Sequence, residues 1–92
     1  MKTKSYAEKV RAADPRQWEA VGARIEAADL ISNLMAKKKL TKTALAKLLG
    51  VSQPTVTVYL SGAQNLTVTK LAEILHALGH RLVLKAAPLK KT

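Results

Sequence analysis

The stretch LAKLLGVSQPTVTVYLSG, Leu45–Gly62, places two apolar-periodic runs around a three-residue corner. Gly50 stops the first run, and the second opens with Ser52-Gln53-Pro54. Thr41 reads as the N-cap of a helix over Lys42–Leu49 that buries Leu45, Leu48 and Leu49, with Gly50 as the residue just past its end. Ser52 caps a second helix running to about Leu60. Pro54 is tolerated there because its missing N–H would lie unpaired in a first turn anyway. So short a turn makes the two axes cross steeply, and the crossing needs small residues. Ala46 meets that need by close packing, Gly50 by a left-handed turn and Val51 by plugging the corner.

Two short helices crossed in this way make a helix-turn-helix unit, whose second helix projects into the DNA major groove while the first braces it across the backbone. The second helix is built from modest helix formers. Val56, Tyr59 and Leu60 face the core, while Gln53, Pro54, Thr55, Thr57 and Val58 face outward and are the candidate base contacts. Gln pairs bidentately with adenine, Thr offers a hydroxyl and a methyl, and Val meets the thymine methyl. Lys39, Thr41, Lys42, Thr43, Lys47, Ser52, Ser61 and Asn65 are the candidate phosphate contacts, with main-chain N–H groups at the helix N-termini.

Charge points to the same partner. The 92 residues carry a net charge of +10, unevenly spread. Residues 1–29 hold six basic and five acidic side chains, whereas residues 30–72 hold six lysines and no acid. A domain-sized field of one sign suggests a polyanion, nucleic acid first and an anionic membrane surface second. With no run long enough to span a bilayer and no apolar leader in MKTKSYAEKV, the chain is expected in the cytoplasm and not in a membrane.

The rest of the chain supports an aliphatic, helical domain. There is no Phe, one Trp and no Cys, so neither a disulfide framework nor a thiolate metal site is available. Asp14-Pro15 starts an earlier helix, one long or two joined near Gly22. Its apolar face would hold Trp18, Val21, Ile25, Leu30, Ile31, Leu34 and Met35, with Trp18 as core anchor. Lys37-Lys38-Lys39 closes it, where cations suit the negative end of the helix dipole. Thr67 caps a last helix through Leu78, with Leu71, Ile74, Leu75 and Leu78 on its apolar face and Gly79 ending it. After Gly79 the period changes to two, and His80–Ala86 reads as a short strand. The domains are therefore an N-terminal arm at 1–13, a helical domain at 14–79, and a strand with a basic tail at 80–92.

His76 and His80 stand four apart, but Gly79 breaks the helix between them and only Glu73 lies close in sequence, so no metal site is expected. No cofactor or catalytic activity is expected either. The chain lacks a nucleophilic cysteine, a Gly-rich phosphate loop and a Ser-His-acid spacing.

The pattern Leu-Thr-x-x-x-Leu-Ala-x-x-x-Gly-Val-Ser-Gln-x-Thr-Val over Leu40–Val56, followed by NLTVTKLAEILHALG from Asn65, resembles the phage-repressor and XRE-type helix-turn-helix regulators. The ending NLTxxxLAxxLxALGHRLVLK further resembles antitoxins of the HigA type. The resemblance implies an all-α, compact five-helix lambda-repressor-like domain, here with a short C-terminal strand. It also implies a homodimer on double-stranded DNA with a palindromic operator, acting as an autorepressor. The alternative it implies is an antitoxin that neutralises a small protein toxin and represses its own operon. Two positions depart from the family: Lys42 replaces a usual Gln, and Val58 a frequent Arg. Losing the commonest guanine contact makes the expected site lean to A·T pairs or read sequence weakly.

Overall fold

The computed structural model describes residues 14–89, which form four helices: α1 (Pro15–Lys38), α2 (Lys42–Leu49), α3 (Gln53–Ser61) and α4 (Val68–Ala77). The expected arm at 1–13 and the last tail residues, 90–92, lie outside the described residues. The expected count of five helices is thus replaced by four among those described.

Each helix starts where a short polar side chain can take up a free main-chain N–H. Asp14 accepts from the Arg16 amide at 2.9 Å, Thr41 from Ala44 at 3.1 Å, Ser52 from Thr55 at 3.3 Å and Thr67 from Lys70 at 3.0 Å. Left-handed residues end the first three: Lys39 at φ 55°, Gly50 at φ 69° and Gly62 at φ 77°. Lys39 is the one non-glycine residue with positive φ among those described.

The core is aliphatic, as the composition requires. Ile31, Leu34 and Met35 of α1 meet Leu45 and Ala46 of α2, Val56 and Tyr59 of α3, Ile74 and Leu75 of α4, and Leu78 just beyond it. Fully buried side chains of this size each stabilise the fold by roughly 1.5–3 kcal/mol, so the ten residues of this cluster hold the helices in place.

α1 is a single 24-residue helix that passes through Gly22 without a break. Its expected apolar face is only partly buried. Trp18, Ile25 and Leu30 are exposed, so Trp18 is not a core anchor. At about 100° per residue, Trp18 and Ile25 lie more than 90° around the helix from the centre of the Ile31–Leu34–Met35 face. Of the other helices, eight to ten residues long, α3 and α4 pack against α1, while α2 packs against α3 and α4. Leu48 is a second correction: it is 58% exposed, because it falls about 100° away from the face shared by Leu45, Ala46 and Leu49.

The C-terminal strand is absent among the described residues, where no strand of any kind occurs. The His80 amide donates to Leu75 O at 2.8 Å, and from there to Leu89 the backbone has no main-chain partner among the described residues. Alternating residues alone make no strand without a neighbour to share its ladder. Leu82 still packs against the core, while Val83 and Leu84 are exposed.

Candidate nucleic-acid interface

The corner between α2 and α3 is built by main-chain hydrogen bonds. The Gly50 amide donates to Lys47 O at 3.3 Å and the Val51 amide to Ala46 O at 3.0 Å, which closes α2 around the left-handed Gly50. Val51 is half-buried against the core, as a plug at the corner must be. Ser52 then turns the chain into α3, and Val56, Tyr59 and the half-buried Leu60 hold that helix down.

What α3 leaves outward is a face without charge. Gln53, Pro54, Thr57 and Val58 are all exposed, and α3 contains no ionisable acid or base other than the buried Tyr59. At about 100° per residue these four and Ser61 share an arc of about 140°. Thr55 sits apart from them. It is half-buried at the edge of the core face, and its hydroxyl lies 2.8 Å from that of Ser52. The Thr57 hydroxyl donates back to Gln53 O at 3.4 Å. Gln53 is therefore the residue of this face whose side chain keeps donors and an acceptor free.

The phosphate candidates Lys39, Thr41, Lys42, Thr43, Lys47, Ser52, Ser61 and Asn65 are all exposed. At the start of α2, the Ala44 amide is taken by the Thr41 side chain and the Leu45 amide by Thr41 O. The amides of Lys42 and Thr43 are left for an anion, at the positive end of the helix dipole. At the start of α3, Pro54 has no N–H and the Thr55 amide is capped, so that end offers fewer donors. Ser61 is committed elsewhere: its hydroxyl donates to Val58 O at 2.7 Å and accepts from the Ala63 amide at 3.1 Å. A phosphate only accepts, so Ser61 would have to release Val58 O to serve one.

The lysines do not contribute equally. Lys70 pairs with Glu73 at 3.1 Å, and that carboxylate raises its pKa. The Lys38 ammonium lies 3.1 Å from where a Cβ on Gly79 would stand, so it is turned to the negative end of α4. Lys37, Lys39, Lys42 and Lys47 are exposed and form no ion pair among the described residues. One cation went unnoticed in the sequence because residues 1–29 balance their charges. Arg24 of α1 lines the same groove as Asn65, and its Nε is buried without a hydrogen-bond partner.

His80 Nδ1 lies 2.9 Å from Leu78 O, and no group of three or more His, Cys, Asp or Glu comes together among the described residues. No described helix is long and apolar enough to cross a membrane.

Comparison with known protein families gives a match over residues 31–82, to a family described as helix-turn-helix. The match takes in the last third of α1, all of α2, α3 and α4, and the residues up to Leu82. No curated protein and no solved structure matches the chain.

Proposed function

Because the chain belongs to the helix-turn-helix family of XRE-type DNA-binding regulators, we propose that it is a sequence-specific autorepressor of its own promoter, acting as a dimer on a palindromic operator. α3 enters the major groove with Gln53, Pro54, Thr57 and Val58 against base edges and Thr55 at the margin. Lys39, Lys42, Lys47, Thr41, Thr43, Ser52 and Asn65 bind phosphates on either side, and Ser61 joins them if its hydroxyl lets go of Val58 O. The role includes no catalytic step, cofactor or metal.

The observation that carries this reading is the uncharged, exposed face of α3, following an α2 whose Lys42 and Lys47 are exposed and form no ion pair among the described residues. Phosphate contacts fix register and base contacts give sequence, so a reading helix needs short side chains able to approach base edges. A face meant only to attract a polyanion would carry the lysines itself. The test is to select bound fragments from random-sequence duplexes at physiological salt, using the full chain. A recovered palindrome with half-sites roughly 34 Å apart, one helical turn, supports the reading. Recovery of unselected sequence refutes it.

A second reading, an antitoxin that neutralises a small protein toxin, draws on apolar side chains left in solvent. Val83, Leu84 and Leu89 are at least 70% exposed on a segment whose backbone has no main-chain partner among the described residues, the form of chain that adds to another protein's sheet edge. Co-purification with a small protein encoded beside it separates this reading from the first.

A further inference from the structure

Resting on the proposed placement of α3 in the major groove, we infer that this protein reads thymine mainly by its 5-methyl group, through Val58 and the methyl of Thr57. Gln53 supplies the one directional contact, to an adenine.

Three observations lead there. First, the hydroxyls that sequence alone would offer to bases are engaged within the protein. Thr57 Oγ1 donates to Gln53 O at 3.4 Å, and Thr55 Oγ1 is 2.8 Å from Ser52 Oγ. With its hydroxyl turned back along the helix, Thr57 presents its methyl as the free group. Second, Val58 is 44% exposed and lies outside the core cluster. A β-branched residue is a weak choice for an exposed helix site. Third, the face carries no Arg or Lys to pair with guanine O6 and N7, and no Asp or Glu to accept from cytosine N4. Of the four base pairs, those with thymine present an apolar feature in the major groove, and they suit an apolar reader.

The spacing fits this assignment. Gln53 and Thr57, four residues apart, stand on one side of the exposed arc of α3 and Val58 on the other, about 100° from Thr57, all within the first six residues of the helix. The N-terminal residues of a recognition helix are the ones that reach base edges. Burying one methyl against Val58 or Thr57 changes affinity by about fourfold, from the transfer free energy of a methylene. Two such contacts in one half-site give roughly tenfold or more.

The experiment uses deoxyuridine, which pairs as thymine does but lacks the methyl. The full chain is presented with random-sequence duplexes made with thymine, and the recovered site is then resynthesised with deoxyuridine at each thymine in turn. Binding is expected to fall about fourfold at one or two particular positions, and tenfold or more when both are replaced. Val58→Ala, and separately Thr57→Ser, which keeps the hydroxyl and removes the methyl, should each abolish the penalty at one position. Equal binding of thymine and deoxyuridine sites overturns the inference while leaving sequence-specific binding intact. A penalty that survives undiminished in both variants also overturns it, because DNA shape then carries the preference. If no sequence is recovered, the placement of α3 in the major groove fails first, and the inference falls with it.

Discussion

The amide of Val51 donates to the carbonyl of Ala46 at 3.0 Å, across a Gly50 held at φ 69°. This bond ends α2 and sets the direction in which the chain enters α3. A Cβ on Gly50 would meet nothing within 4 Å, so the position is restricted by backbone conformation and not by space.

Substitutions at Gly50 should therefore rank by their tolerance of the left-handed region. Gly50→Ala is expected to cost roughly 1–2 kcal/mol, Gly50→Asn less, and Gly50→Val more, because β-branching makes positive φ a true outlier. Urea denaturation of the three variants gives the ranking. A Gly50→Val variant as stable as the parent would show that the corner does not need its left-handed residue.

Leu45 and Leu48 are one turn apart on α2 and should behave very differently. Leu45→Ala removes a fully buried side chain and is expected to cost about 2–5 kcal/mol. Leu48 is 58% exposed, and Leu48→Ala should stay within about 1 kcal/mol. Comparable losses in thermal unfolding would mean that Leu48 is covered in solution.

These contrasts mark where the sequence could be read. The corner was readable because Gly50, Ser52 and Pro54 each have a local conformational meaning that neighbours rarely override. The caps Asp14, Thr41, Ser52 and Thr67 were readable for the same reason, and all four make the expected hydrogen bond. Periodicity served less well for Trp18, Ile25 and Leu48. A spacing of three or four gives a face but not whether a partner element is long enough to cover it. The strand at 80–86 failed on a related point: alternation describes one strand, while a ladder takes two. In the interface, residue type suggested hydroxyls for base contact at Thr55 and Thr57 and for phosphate contact at Ser61, and only their hydrogen bonds show those groups already engaged.

Binding to a selected DNA site should weaken steeply with salt, since each phosphate neutralised contributes about −0.9 to the slope of log K against log salt. Lys42→Ala and Lys47→Ala should each flatten that slope by about one and weaken specific and random DNA alike. Lys70→Ala should change it far less, because Lys70 is already paired with Glu73 at 3.1 Å. Titrations at several salt concentrations distinguish the three.

Gln53→Ala should act on sequence preference more than on overall affinity. The expected loss is roughly 1–3 kcal/mol at a single base pair, with binding to random DNA little changed. Equal losses on both kinds of DNA would reassign Gln53 to the phosphate backbone.

Asp14 gives a pH prediction confined to one end of one helix. Side-chain and main-chain hydrogen bonds from Arg16 hold its carboxyl below the usual aspartate range. A depressed pKa in the folded state means its contribution is present above the unfolded value and is lost as pH falls through the folded one. Acidification through and below the usual aspartate range should therefore loosen the first turn of α1, visible as amide chemical-shift changes at Arg16 and Gln17. Asp14→Asn, which still caps, should remove most of that pH dependence.

Trp18 is the sole tryptophan of the chain and is 42% exposed near the N-terminal end of α1. Its emission should already be shifted towards that of an indole in water, so it will report poorly on denaturation. For the same reason it is a native optical sensor: any molecule that lands on this part of α1 will shift the spectrum of a single, unambiguous fluorophore without a label.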